Sequence, residues 1–270
     1  MSHAPAAPAT RIVGAFCWNE LHTGDPARAA AFYAAVIPWK TDGDGTGPYT
    51  EFVDAKGNHN GGMMQLHAGA SKEGRAAWHV YVNVDDVDAA AARVPALGGR
   101  VLAPPTDYPH VGRVCPVADP TGAVVHLFRG IEQCGIRVPQ EHDGTFCWME
   151  LLTRDTAACA RFYGALLGWK TTEMPMPGFT YTLFWLRDAD PASRSGCQGG
   201  MMEIQPDMGP MPPHWLPYIA VADVDAAAAR AAEHGGKICA PPWDIPGVGR
   251  MAVVTDPTGA TFALFKAKQQ

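Results

Sequence analysis

The chain has 270 residues, 47% of them hydrophobic and 18% charged, a globular composition long enough for two cores. Its 21 Lys and Arg against 27 Asp and Glu give a net charge of -6 without a basic stripe, which excludes nucleic acid as an expected partner. No apolar run approaches the roughly 20 residues of a membrane-spanning helix, so no membrane partner is expected either.

Residues 1–11 are Ala- and Pro-rich and lack the charged start and apolar core of a secretory signal. They read as a short disordered tail. Seven cysteines, an odd number with no CxxC, argue against a zinc knot or a disulfide framework. Reduced thiols in a cytoplasm are the expectation, and no catalytic thiol is assigned.

Phe16 to His22 reads as a strand. Asp25-Pro26 then supplies an N-cap and a first-turn proline for a helix with Phe32, Tyr33, Val36 and Ile37 on one face. Strands follow at Tyr49 to Asp54, Gly62 to Leu66 and Trp78 to Val84. A helix capped by Asp85 or Asp86 runs to Gly98-Gly99. Strands Arg100 to Ala103, Arg113 to Ala118 and Ala123 to Phe128 complete the unit, with Asp119-Pro120-Thr121-Gly122 as a turn.

The same order then repeats. Phe16-Cys17-Trp18-Asn19-Glu20-Leu21 returns as Phe146-Cys147-Trp148-Met149-Glu150-Leu151, and Gly61-Gly62-Met63-Met64 as Gly199-Gly200-Met201-Met202. Asp86 to Arg93 returns as Asp223 to Arg230, and Asp119 to Ala123 as Asp256 to Ala260. Two homologous domains, 12–130 and 142–268, are joined by a linker at 131–141. Each is a pair of β-α-β-β-β modules, so the fold class is α+β.

The helix Asp25 to Trp39 with its copy Asp155 to Trp169, the strand exits Val84 to Asp88 and Val221 to Asp225, and the duplicated Asp-Pro-Thr-Gly-Ala together resemble the vicinal oxygen chelate superfamily. That superfamily holds glyoxalase I, bleomycin-resistance proteins, extradiol dioxygenases and fosfomycin-resistance enzymes. The chain is similar to its tandem two-domain, glyoxalase-like members over nearly its whole length. The resemblance implies curved sheets with helices on their convex faces and ligands in a concave cleft. It does not fix the chemistry, because the superfamily contains isomerases, lyases, dioxygenases and pure binders.

The resemblance also implies where metal ligands would stand. In the first domain those positions carry Trp18, His79 and His126; in the second they carry Trp148, Leu216 and Ala263. The second domain is therefore expected to lack a metal. In the first, Glu20 could complete a 2-His-1-carboxylate set for Fe, Mn, Ni or Zn, because it shares a strand face with Trp18. The alternative gives His79 and His126 a metal-free acid–base or polar role. Glu20 and Glu150 could instead pair with Arg113 or Arg250 across the sheet.

Trp18, Tyr81, Trp148 and Tyr218 read as cleft-facing aromatics that could stack on a flat ligand. Asp107 to Arg113 and Asp244 to Arg250 read as loops over the cleft mouth, whose Arg113 and Arg250 could bind an anionic group, with a structural salt bridge as the favoured reading. The favoured function is metal-independent binding of a small organic molecule, or acid–base catalysis on it. The alternative is a metal-dependent lyase, isomerase or dioxygenase working in the first domain. The expected assembly is a monomer with pseudo-dimeric domains or a homodimer.

Overall fold

The computed structural model describes residues 11–42, 49–66, 76–131, 142–193 and 196–268. The expected tail apart from Arg11, and the expected linker apart from Ile131, lie outside the described residues. No described helix is long and apolar enough to cross a membrane.

Four modules follow one another. The first holds β1 (Phe16–Thr23), α1 (Pro26–Val36), β2 (Lys40–Thr41), β3 (Tyr49–Val53) and β4 (His59–Gln65). The second holds β5 (Ala77–Asn83), α2 (Val87–Arg93), β6 (Arg100–Val101), β7 (Thr106–Tyr108), β8 (Gly112–Ala118) and β9 (Val124–Gly130). The third holds β10 (Phe146–Thr153), α3 (Thr156–Leu167), β11 (Lys170–Met176), β12 (Phe179–Trp185) and β13 (Cys197–Glu203). The fourth holds β14 (His214–Ala220), α4 (Val224–Glu233), β15 (Lys237–Ile245), β16 (Gly249–Thr255) and β17 (Thr261–Ala267).

Each helix begins where an aspartate can satisfy an orphan N–H. Asp25, Asp86, Asp155 and Asp223 accept from the backbone N–H of Arg28, Ala89, Ala158 and Ala226. Helix α2 stops earlier than expected because Pro95 has no N–H to donate. A single 3-10 turn, Pro95–Leu97, carries the chain on to Gly98, whose φ of +85° suits glycine.

Strands β1 to β9 form one mixed sheet with the path β2-β3-β4-β1-β5-β9-β8-β6, with β7 pairing on β8. Strands β10 to β17 form a second, in the order β11-β12-β13-β10-β14-β17-β16-β15. Alternation sorts the side chains. Leu21, Val80, Val82, Val125 and Leu127 are fully buried on the helix-bearing face. Trp18, Glu20, His22, His79, Tyr81 and His126 have the opposite parity and line the face away from the helices.

The chain packs as two compact units that cut across the sequence repeats. One comprises residues 1–18, 80–139 and 151–214; the other comprises 19–79, 140–150 and 215–270. Each therefore draws one helix from each repeat: α2 and α3 in the first, α1 and α4 in the second.

Each unit is pinned by a tyrosine reaching into an Asp-Pro-Thr-Gly turn. In the first, the Tyr163 hydroxyl donates to Asp119 at 3.1 Å. In the second, Tyr33 donates to Asp256 at 3.0 Å while Trp78 Nε1 donates to Tyr33. Burial, with Asp256 beside it, raises the Tyr33 phenol well above its usual value, so it stays a neutral donor.

The second unit has one further clasp. His142 meets the Asp54 carboxylate at 2.7 Å, and Asp54 also accepts from the Lys56 and Asn58 backbone and the Asn58 side chain. Burial opposes ionisation of Asp54, but these hydrogen bonds outweigh it and hold the carboxyl well below the usual carboxylate range. A depressed folded-state value stabilises the fold above the unfolded value of about 3.9, and that stabilisation is lost as the pH falls below it. The stability gap between the native chain and Asp54→Asn is thus expected to be full near pH 6 and to shrink below about pH 4. Urea midpoints across that range test this; a constant gap from pH 6 to pH 3 would refute it.

Candidate active site

In the first repeat His22 and His79 come together. On β1, Glu20 and His22 are two residues apart and therefore share a face. His22 Nε2 lies 2.6 Å from Glu20 Oε1, and Glu20 is buried to 7% exposure. On β5, His79 brings its ring over His22, with centroids 4.0 Å apart and planes 37° apart. Glu20, His22 and His79 thus form one carboxylate–imidazole–imidazole stack inside the second unit.

His126 belongs to the first unit. It lies on β9 directly opposite Tyr81 of β5, with ring centroids 4.5 Å apart. Tyr81 belongs to a small buried cluster with Cys17, Val114 and Phe128, against which Trp18 packs half-buried. Expected site residues Trp18, Tyr81 and His126 are therefore neighbours in an aromatic wall.

The second repeat keeps the scaffold and changes the chemistry. Trp148 and Glu150 occupy the places of Trp18 and Glu20, with Glu150 buried to 8% exposure. Leu152 stands where His22 does, Leu216 for His79 and Ala263 for His126. Tyr218 lies opposite Ala263, and its hydroxyl turns to Met251 Sδ at 3.8 Å. Besides Glu150 and the phenol this face carries His214, two residues before Leu216 on β14, and Thr261, two before Ala263 on β17.

The arginines form structural ion pairs, the reading favoured for them from sequence. Asp107 to Arg113 forms the β7–β8 hairpin, with Asp107 paired to Arg113, and Asp244 pairs with Arg250 in the same way between β15 and β16. On β8, Arg113 has the parity of buried Cys115 and Val117, so it lies on the helix-bearing face. There it makes a bidentate pair with Asp88 of α2 and a third contact to Asp107. Arg250 repeats this with Asp225 of α4 and Asp244. The Glu20–Arg113 pairing is therefore corrected: Glu20 has His22, and Arg113 clamps a helix.

The superfamily's metal chemistry can be tested against this donor set. Among the described residues, no three His, Cys, Asp or Glu side chains are gathered so that they could hold a metal ion. At the first-strand position Trp18 offers only an indole N–H, which donates and cannot ligate. Glu20 is engaged by His22, whose ring packs against that of His79. Glu20 and His79 lie in the second compact unit and His126 in the first.

The sequence reading omits His22. Its signal was present: the Trp18, Glu20, His22 alternation puts all three on one strand face. Burial raises the Cys115 and Cys197 thiols above their usual value. The six described cysteines form no disulfide, and burial, with Asp119 nearby, pushes Cys159 up to about 12.

Comparison with known proteins places this arrangement in a family. Residues 17–128 match the glyoxalase-like domain, and residues 145–264 match the glyoxalase/bleomycin resistance protein/dioxygenase superfamily model. The chain is 36% identical to "Putative glyoxylase CFP32" of Mycobacterium bovis, covering 94% of this chain and 95% of that protein. It is 32% identical to the anthracycline biosynthesis protein DnrV of Streptomyces peucetius, covering 98% and 95%. The Mn(II)-bound glyoxalase of Novosphingobium aromaticivorans shares the fold with a TM-score of 0.62 at 18% identity, over 95% of this chain and 83% of that one. The 2,3-dioxygenase LapB of Pseudomonas sp. KL28 does so at 0.61 and 14%, over 97% and 95%. The chain belongs to the glyoxalase/bleomycin resistance protein/dioxygenase superfamily, as a tandem of two vicinal-oxygen-chelate domains.

Proposed function

We propose that this protein binds a small organic molecule on the strand face of its first domain and moves a proton on it without a metal. The observation that carries the reading is the Glu20–His22–His79 stack. A neutral imidazole is the general base available near pH 7, and a carboxylate partner fixes ring orientation. Glu20 anchors His22, and His22 holds the His79 ring in place. His79 then takes the proton α to a carbonyl: the C–H bond breaks, an N–H bond forms, and the electron pair moves into the enolate oxygen. Returning a proton from the same ring completes an exchange or an isomerisation. Relatives named for a glyoxylase and for anthracycline biosynthesis support a small organic ligand. The second domain, with Leu152, Leu216 and Ala263 in place of imidazoles, has a binding role only.

Hydroxyacetone supplies the test. In D₂O with EDTA present, its α-protons are expected to exchange faster with protein than without, as read by proton NMR. His79→Ala is expected to lower the protein-dependent rate by about 100-fold, the ordinary contribution of a general base. Exchange that EDTA abolishes and Mn²⁺ restores would replace this reading with a metal-dependent one. Unchanged exchange in His79→Ala would move the base elsewhere.

A further inference from the structure

The proton-transfer stack stands at one end of a row of side chains that crosses the strand face of the first module. In the β1–β4 register His22 lies opposite Met64, and in the β3–β4 register Met64 lies opposite Tyr49. Registered partners share a face, and Met63, the neighbour of Met64 on β4, is buried on the other one. The row Tyr49–Met64–His22 therefore runs square to the strands, with about 10 Å between its outer Cα atoms, two strand spacings. The His79 ring packs on His22 at its end. Every member reaches solvent: His22, His79 and Met64 are partly exposed, and Tyr49 is 42% exposed.

The third module carries the same methionine and tyrosine in a closed form. Tyr181 holds the place of Tyr49, and Met202 that of Met64. Met202 is buried, and the Tyr181 ring lies against Gly200, where any Cβ would run into it. Leu152 takes the place of His22. The thioether and the phenol ring thus fill the sheet face where no imidazole stands, and are left accessible where two imidazoles stand beside them.

We propose that Met64 and Tyr49 form the subsite for a flat, apolar substituent, so that the compound whose proton His79 takes is an uncharged aryl carbonyl compound. A thioether is polarisable and makes favourable contacts with aromatic rings, and a phenol ring stacks on another ring. Both gain more from an aryl group than from water. An α-carbon placed at His79 lets the rest of such a molecule extend along the row. Glu51 shares the face, two residues from Tyr49, and is engaged by His59. Together with Glu20 it disfavours an anionic substituent. This proposal rests on the reading that the substrate of the proton transfer occupies this face of the first domain.

2-Hydroxyacetophenone and hydroxyacetone are the probes, read on the full chain labelled with ¹³C-methyl methionine. The Met64 methyl signal is identified by its loss in Met64→Leu. It is expected to shift saturably with 2-hydroxyacetophenone, with half-saturation at about 1 mM, and with hydroxyacetone only at concentrations about tenfold higher or more. Tyr49 is exposed, so its replacement leaves the fold intact. Tyr49→Ala is expected to weaken 2-hydroxyacetophenone about tenfold and hydroxyacetone by less than about twofold. Tyr49→Phe, which keeps the ring, is expected to bind both as the native chain does. No saturable Met64 shift up to about 10 mM 2-hydroxyacetophenone would overturn the subsite. So would an unchanged affinity in Tyr49→Ala, or an equal loss in Tyr49→Phe. Exchange of the hydroxyacetone α-protons through His79 is a separate readout. Exchange that persists beside a silent Met64 removes this subsite alone. A responsive Met64 without exchange removes the proton-transfer reading alone, and silence in both removes both.

Discussion

Asp256→Ala is expected to lower the stability of the chain by about 3–5 kcal/mol, the range for breaking a buried polar network. Asp256 is 3% exposed and organises a whole turn. One of its oxygens accepts from the Thr258, Gly259 and Ala260 backbone N–H groups and from the Thr258 hydroxyl. The other accepts from Tyr33, which in turn accepts from Trp78. Truncation strands several buried donors at once, which costs more than the bonds themselves are worth. Tyr33→Phe removes one hydrogen bond and is expected to cost about 1–2 kcal/mol. Because the two groups touch, the double variant should cost less than the sum of the singles. Urea unfolding of the three variants measures this. A loss below about 1 kcal/mol in Asp256→Ala would show that water or neighbouring groups replace the carboxylate.

That network also shows where sequence reasoning stops. The helix with its Phe-Tyr pair, the aspartate caps and the Asp-Pro-Thr-Gly turns are local features, and local rules locate them. The repeat then locates them twice. Which tyrosine meets which turn is not local. Tyr33 reaches a turn 223 residues away rather than the one in its own repeat. Two turns of identical sequence give no basis for choosing between them, so the compact units differ from the repeats. Strands β2 and β11 escape for another reason. They are sheet edges, and the polar, Pro-containing Lys170–Met176 has little apolar alternation to detect. In the site, strand parity puts Trp18 and Glu20 on one face of β1. It could not say that His22 would capture Glu20. A structural ion pair for Arg113 is legible in the sequence, but its partner Asp88 is not, because Asp88 lies on a helix packed against the other face of the sheet.

The methylglyoxal–glutathione hemithioacetal is expected to be a poor substrate, with kcat/KM below about 10⁴ M⁻¹s⁻¹, the lower end of ordinary enzymes. Two features of the first domain act together. Isomerising that adduct passes through an enediolate whose charge a metal ordinarily stabilises as a Lewis acid. Here Trp18 cannot ligate and Glu20 is held by His22. The adduct also carries the carboxylates of glutathione, and the strand face it would have to cross presents Glu20 and Glu51. Like charges a few ångströms apart destabilise the complex before any chemistry begins. Hydroxyacetone has neither handicap, being neutral and small. The chain should therefore exchange its α-protons while leaving the hemithioacetal nearly untouched. The assay follows hemithioacetal turnover with Zn²⁺, Ni²⁺ and Mn²⁺ added in turn. Turnover above about 10⁴ M⁻¹s⁻¹ with any of them would defeat the metal-free reading. Loss of that turnover in Glu20→Gln would then assign the carboxylate, released from His22, as the third ligand beside two imidazoles.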